Sequence, residues 1–379
     1  MTTTERTLEL APDATGLLAE WRPGEGSWFS GPRGGLLTRG VTRRIDDPDE
    51  VAGILSRIAA DGDGPAVVVG ALPFDPTRPA ALAVPQEITR SAPLGRAILP
   101  GPDSGVEWSS RPVPEPAGYE AMVAEALRRM EAGELQKVVL SRVLELRCDG
   151  PVDQRRLLRQ LAARGPAGYV FAVDLPSAGA PRTLVGASPE LLLSRRDGEV
   201  LANPLAGSAR RRLDPDEDEA VGAALLASAK DRHEHALVVD DVAAALRGVC
   251  DDLEVPATPS LIRTDALWHL STAIRGRSTL PALDIARALH PTPAVGGVPR
   301  AAAKRAIAEI EPHDRGFYTG MVGWSDASGD GEWVVALRCG DVSGSTARLY
   351  AGAGIVPGSV PASELAETAT KLETMLASL

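Results

Sequence analysis

The segments "AGYVFAVDL" (residues 167–175), "RTLVGAS" (182–188) and "ELLLSRR" (190–196) follow one another with only short turns between them. Two parallel strands need a crossover of about a dozen residues or more, usually a helix, and no such length is present here. Strands clustered this tightly look antiparallel. "LQKVVLSRVLELR" (135–147), "EWVVALRCGDV" (332–342) and "ARLYAGAGIV" (347–356) add to the set, each reading as one strand. In the first of these Val138, Leu140 and Arg142 point to one face and Lys137, Val139 and Ser141 to the other. Helical spacing gathers between the strand clusters. One helix is expected around Pro48–Ala60, and another carries Tyr119, Met122, Val123, Ala126, Leu127 and Met130 and stops at Gly133. Long helices are expected over Asp216–Arg247, Pro281–Leu289, Ala301–Glu311 and Ala362–Leu376. Strands in runs, with helices between the runs, define an α+β chain with layered sheets rather than strict βαβ alternation.

Residues 1–112 form a β-rich part with short apolar runs such as "PAVVVGALPF" and "LLTRGVTRRI". "RPVPEPAG" (Arg111–Gly118) reads as a linker or as a surface crossing inside one unit, and the pattern changes over 113–379. A chain of 379 residues, 44% apolar, has ample material for a large core. Its net charge of -11 and the lack of a basic stretch argue against tracking nucleic-acid phosphates. The three scattered cysteines, Cys148, Cys250 and Cys339, fit neither a disulfide framework nor a metal knuckle, which points to a reducing compartment. "MTTTERTLELAPDATG" has neither a basic region nor an apolar one, and no run approaches membrane-spanning length. A cytoplasmic protein without membrane contact is expected.

Chemistry enters with "SAKDRHEHALVVDD" (Ser228–Asp241). Six consecutive polar residues, Lys230 to His235, cover every face of an otherwise apolar-rich helix, so some of them point inward. His233 and His235 are two apart and diverge, unlike the histidines of H-E-x-x-H, so zinc is not implied. Glu234 remains suited to a hard cation, which takes one or two carboxylates plus waters and substrate oxygens. "YAGAGIVPG" (Tyr350–Gly358) has G-x-G after a strand. Its third glycine is one place late, Pro357 stands in its position, and only about twenty residues follow, so a dinucleotide site is not expected. A strand-end turn, or backbone N–H groups open to an anion, remain. In "SELAETATKLETM", Glu364, Glu367 and Lys371 share one helical stripe, with Leu365, Ala369, Leu372 and Leu376 as the apolar side; on spacing alone that stripe is a solvated ion pair. Glu190 before an apolar strand and Lys137 at the start of another are the remaining ionisable groups in unusual company. A loop carboxylate and a snorkelling lysine are the bland readings. If both are buried, desolvation pushes both toward neutrality, which would make an acid–base pair.

"LQKVVLSR", "LVGASPELLL", "NPLAGSARRR", "AKDRHEHALV", "LWHLSTAIRG", "LHPTPAVGGVPR", "GFYTGMVGW", "GEWVVALRC", "RLYAGAGIVPGS" and "ETATKLETM" occur in the order found in chorismate-utilising enzymes. The chain resembles their isochorismate synthases of the siderophore (2,3-dihydroxybenzoate) type over nearly its whole length. The resemblance implies a single large domain of two facing antiparallel sheets with outer helices, as in anthranilate synthase component I. Residues 1–112 would then be integral to that fold, and 113–379 would form the chorismate-binding catalytic region. It implies Lys137 as general base, Glu190 as general acid, and Glu234, Glu367 and Glu364 as ligands of Mg²⁺, the last through water. Gly207, Ser208, His269, Thr292, Ala294, Arg338, Tyr350, Gly352 and Lys371 would contact the substrate, Arg338 clamping the pyruvyl carboxylate; Val295 stands where near relatives often have leucine. His269 and Tyr350 are also compatible with plain core roles. The aminating relatives typically carry glutamine where this chain has Lys137, so water is the implied nucleophile and no glutaminase partner is expected; the implied state is a monomer. Salicylate synthases share the lysine but typically read "AGTR" where "AGSARR" stands here, which favours release of isochorismate. The menaquinone-type isochorismate synthases are also close. A salicylate synthase and a non-catalytic chorismate-binding protein are the alternatives.

Overall fold

Each strand pairing described in the computed structural model is antiparallel. The structure describes residues 14–94, 105–164, 168–264 and 266–379, so nearly all of the amino-terminal stretch considered for targeting lies outside them, as does Ala167. One ten-stranded sheet runs, in spatial order, through Gly297–Val298, Lys137–Cys148, Thr346–Ile355, Cys339–Ser343, Arg182–Ser188, Tyr169–Leu175, Trp28–Gly31, Gly34–Arg39 and Glu87–Ser91, with Trp108–Val113 also paired to Lys137–Cys148. A nine-stranded sheet runs through Asp251–Glu254, Ile274–Arg277, Glu199–Ala202, Leu191–Arg196, Gly331–Val335, Met321–Asp326, Val67–Leu72, Ala81–Val84 and Arg43–Ile45. A three-stranded sheet, Leu205–Arg210, Leu267–Ser271 and Ser260–Arg263, completes the set. Strands from before residue 112 therefore lie in the same two large sheets as strands from after it. "RPVPEPAG" holds the end of a paired strand, Trp108–Val113, and the start of the helix Pro116–Glu131.

The two large sheets face one another across a core to which both contribute. Phe171, Leu184 and Tyr350 come from the first, and Ala71, Val322 and Val334 from the second. Helices cover the outer faces. Pro116–Glu131 and Arg300–Ile310 pack on Val138, Leu140, Ala353 and Ile355, while Ala229–Arg247 and Ala282–Leu289 pack behind the second sheet. Strand residues 137–143 are consequently buried on both faces, which explains why "KVVLSRV" reads as a nearly continuous apolar run.

Two expected elements divide. The helix expected over Asp216–Arg247 is two helices, Pro215–Ala227 and Ala229–Arg247. Ser228 between them is extended (ψ 116°), and its hydroxyl accepts from the N–H of Asp231, so it serves as an N-cap. "EWVVALRCGDV" is also not one strand. Gly331–Val335 belongs to the second sheet and Cys339–Ser343 to the first, and Arg338 takes a left-handed φ of 47° at the crossing. Unbroken apolar alternation concealed that step, because both halves are buried.

Candidate active site

The cleft opens where the helices Ala229–Arg247 and Pro361–Leu376 meet the ends of three strands. Along the first helix, Asp231, Glu234, His235 and Val238 turn inward at i, i+3, i+4 and i+7, whereas Arg232 and His233 are exposed. On the last helix Glu364 is buried, and Glu367 and Lys371 are 34% and 18% exposed in their side chains. The solvated stripe expected from spacing alone is thus turned into the cleft, while Ala369 and Leu376, assigned to the apolar side, face solvent. Helical periodicity placed these charges on one face; it could not say which way the face points.

Each of three carboxylates leans on a lysine. Lys137 Nζ lies 3.0 Å from Glu234 Oε1, Lys371 Nζ 2.6 Å from Glu367 Oε1, and Lys230 Nζ 3.6 Å from Glu364 Oε1. Lys371 also donates to the carbonyl of Gly352 at 2.8 Å, which ties the last helix to the strand Thr346–Ile355. Lys137 is wholly buried; its contact with Glu234 is off the hydrogen-bonding direction, and among the described residues Nζ has no acceptor. Burial raises the carboxyls of Glu364 and Asp231, and the neighbouring Glu234 and Glu367 raise both further. Four acids crowded into one cleft make a site that attracts cations.

Glu190 follows the Ser188–Pro189 turn and precedes the strand Leu191–Arg196, and its side chain enters the same cleft. Burial pushes its carboxyl up to about 8, against weaker opposition from a Leu205 N–H bond and from the charges of Lys137 and Lys371. The acid is therefore protonated at neutral pH. Glycine makes the neighbouring room. A Cβ on Gly354 would stand 2.5 Å from Glu234 Oε1 and 3.3 Å from Lys137 Cε. Gly207, at φ +79°, would bring a Cβ to 3.1 Å from Asp231 Cβ, and Gly352 would bring one to 3.1 Å from both the Leu140 carbonyl and the Tyr318 hydroxyl. The glycines of "AGAG" thus leave space for buried charges rather than cradle a dinucleotide.

Arg338 is 7% exposed and, among the described residues, has no carboxylate within ion-pair distance. Burial lowers it to about 10, with Glu367 opposing weakly from a distance, so it stays charged at neutral pH. Tyr318 and Tyr350 stack beside it with ring centroids 5.0 Å apart. Ser208 Oγ meets His269 Nδ1 at 2.9 Å, leaving the buried Nε2 without a partner. Burial, with Arg338 and Lys371 adding, holds that imidazole neutral. Ala294 and Val295 line the opposite wall. Thr292 does not reach the surface of the cleft; its carbonyl accepts from the N–H groups of Val295 and Gly296, and so shapes the turn that presents them. Sequence reasoning passed over Asp231, Lys230, Tyr318 and Thr319, which also line the cleft. Asp231 lies one helical turn before Glu234, so its spacing was a usable signal.

Among the described residues no three His, Cys, Asp or Glu side chains stand close enough to form a metal cage. A hard ion of the magnesium type does not need one, since it retains waters and takes one or two carboxylates. Glu234 and Glu367, each with a lysine amine at ion-pair distance, fit that donor set, with Glu364 and Asp231 adding negative charge behind them.

The fold and this cleft define a class. The chain belongs to the chorismate-binding enzyme family, whose description, "Chorismate binding enzyme", matches residues 96–379. It is 47% identical over 377 residues to the isochorismate synthase DhbC of Bacillus subtilis, an alignment covering 95% of this chain and 94% of that protein. A crystal structure described as a putative 2,3-dihydroxybenzoate-specific isochorismate synthase, DhbC, from Bacillus anthracis superposes with a TM-score of 0.91 at 43% identity, covering 96% of this chain and 98% of the other. Anthranilate synthase component I from Streptococcus pneumoniae shares the fold, with a TM-score of 0.73 at 22% identity over 90% of this chain and 92% of that one. Among the described residues no helix is long and apolar enough to cross a membrane.

Proposed function

We propose that this chain is an isochorismate synthase, an isomerase that adds water at C2 of chorismate as the C4 hydroxyl departs and the ring double bond shifts. The observation that carries the reading is a carboxylic acid in the cleft kept protonated to about pH 8, with a wholly buried lysine just behind the cleft surface, 3.0 Å from the cleft-lining Glu234. Similarity to DhbC over nearly the full chain supports it.

Glu190 gives its proton to the departing C4 oxygen, because a desolvated acid is a better proton donor near neutrality than an exposed one. Lys137 is the general base that takes a proton from the attacking water. One proton leaves the acid and one reaches the amine, so substrate and product remain isomers and no redox cofactor is required. Arg338 receives the pyruvyl carboxylate; a planar guanidinium with no carboxylate at ion-pair distance among the described residues suits a bidentate carboxylate. His269 Nε2 and Lys371 lie on the same cleft to orient the ring. Glu234 and Glu367 would hold Mg²⁺, with Glu364 behind them, and the ion would supply a positive anchor for the ring carboxylate. Ion and substrate therefore bind interdependently, since four acids around an unneutralised anion would repel it. We further propose that the protein acts as a monomer in the cytoplasm without a glutaminase partner.

The test is incubation with chorismate and Mg²⁺, with and without EDTA, with chromatographic separation of isochorismate, salicylate and pyruvate. Isochorismate formed only with the ion is expected. Salicylate with pyruvate as the main products would make the chain a salicylate synthase, and an unchanged substrate that still binds would make it a non-catalytic chorismate-binding protein.

A further inference from the structure

The strand that carries Lys137 has a gap along one flank. Thr346–Ile355 pairs with it on the other flank from Val138 to Arg147. On the gapped flank Trp108–Val113 pairs with Val143–Cys148, and Gly297–Val298 pairs with Lys137 and Val138, helped by the Val139 N–H bond to the Gly296 carbonyl. Between these neighbours the carbonyl of Val139 and the N–H of Ser141 face no backbone among the described residues. A buried peptide group left without a partner is costly, so something must occupy the gap.

An ion pair of side chains does so. Arg315 Nη2 donates to the Val139 carbonyl at 2.7 Å, and Glu311 Oε1 accepts from the Ser141 N–H at 2.7 Å and from its hydroxyl at 2.9 Å. The pair is closed on itself, with Arg315 Nε 2.8 Å from Glu311 Oε2 and Nη2 2.5 Å from Oε1. Both residues are buried, at 3% and 8% exposure. The same guanidinium reaches the Val295 carbonyl at 2.8 Å and Thr319 Oγ1 at 3.3 Å, and lies 4.5 Å over the ring of Phe74. Val139, Val295 and Thr319 all line the cleft, and Thr319 is a β-branched residue held at a left-handed φ of 58°. One planar fork thus ties three cleft-lining residues together, Val139 and Val295 through their carbonyls and Thr319 through its hydroxyl.

We propose that Glu311 and Arg315 are positioning residues that replace a missing stretch of strand and fix the Lys137 strand, and so the base, relative to the wall that faces it. The inference rests on the acid–base reading above for its kinetic consequence, but not for its structural one. Arg315→Lys keeps the charge and loses the fork; Glu311→Gln keeps an acceptor for Ser141 and loses the bidentate grip. Leu246→Ala, a buried change behind the second sheet, serves as a stability-matched control.

With chorismate and Mg²⁺, Arg315→Lys is expected to lower kcat by about tenfold or more with KM within threefold, a sensitivity to misplacement that catalytic geometry imposes. Glu311→Gln should fall between it and the wild type, while Leu246→Ala keeps kcat within twofold at an equal loss of Tm. A kcat loss in the control equal to that in Arg315→Lys would reduce the pair to ordinary packing and overturn the proposal. Hydrogen–deuterium exchange decides the matter independently of turnover. In Arg315→Lys, or in Glu311→Gln if the former does not fold, amides of residues 137–141 should exchange about tenfold faster while those of 346–355 stay within twofold. Unchanged exchange, or equal acceleration in both strands, would refute the positioning role. A wild-type protein that leaves chorismate untouched would refute the functional reading instead.

Discussion

Replacing Glu190 by glutamine should stabilise the protein in a way that depends on pH. The carboxyl titrates near 8 in the fold and near 4.5 in its ordinary surroundings. Below the ordinary value the acid carries a proton in both folded and unfolded chains, and its burial adds no electrostatic cost. As pH rises, the unfolded chain gives up the proton while the folded one keeps it, so stability falls until the folded group also titrates. At about 1.36 kcal/mol per pH unit, the loss reaches about 3 kcal/mol at pH 7 and about 5 kcal/mol near pH 8, and is constant beyond. Glutamine has the same shape, still accepts the N–H of Leu205, and has no proton to lose. An unfolding entropy of about 2.1 cal/mol/K per residue, taken over 379 residues, turns about 3 kcal/mol into roughly 4 °C.

The assay is thermal unfolding of wild type and Glu190→Gln from pH 4.5 to 9. The variant should match the wild type at the acid end, exceed it by about 4 °C at pH 7 and by about 6 °C at pH 8, and stay level above that. It should also be catalytically silent, since the amide has no proton for the leaving oxygen. In the wild type, kcat/KM should decline as pH rises past about 8 and the acid is lost. A Tm difference that is the same at every pH, or a variant less stable than the wild type at pH 8, would refute the claim that Glu190 is a protonated acid made costly by burial.

Lys137→Ala should abolish water addition while chorismate binding, measured by calorimetry with Mg²⁺ present, changes little; equal loss of both would make the lysine a structural residue. Glu234→Ala should shift the Mg²⁺ titration of activity at least tenfold to higher concentration, a size typical of losing a carboxylate ligand or its support, and an unchanged titration would remove Glu234 from the ligand set. Gly354→Ala should cut turnover by about a hundredfold for a small change in Tm, because its methyl enters the space of Glu234 Oε1 and Lys137 Cε and catalytic geometry tolerates little displacement. Activity within threefold of wild type there would mean that those two side chains have room to move.

The antiparallel layering was legible because turn length is written directly in the chain, and "DLPSAGAPR" or "SPE" cannot hold a crossover. The break at Ser228 and the sheet change at Arg338 were not, since each depends on a single backbone conformation inside an otherwise continuous pattern. The site was legible in part. Spacing put Glu364, Glu367 and Lys371 on one stripe and exposed the divergence of His233 from His235, but a charged stripe looks the same whether it meets water or a cleft lined with charges. What settles its direction is pairing between residues far apart in the chain: Lys137 with Glu234, Lys230 with Glu364, and Arg338 with no carboxylate at ion-pair distance among the described residues. Desolvation has the same origin. Glu190 is an ordinary acid beside a turn until the completed fold buries it, and that desolvation keeps its proton on to about pH 8 against the pull of the Leu205 N–H and the charges of Lys137 and Lys371. Local pattern selects which residues share a face; the charge each one carries is decided by partners that only the completed fold supplies.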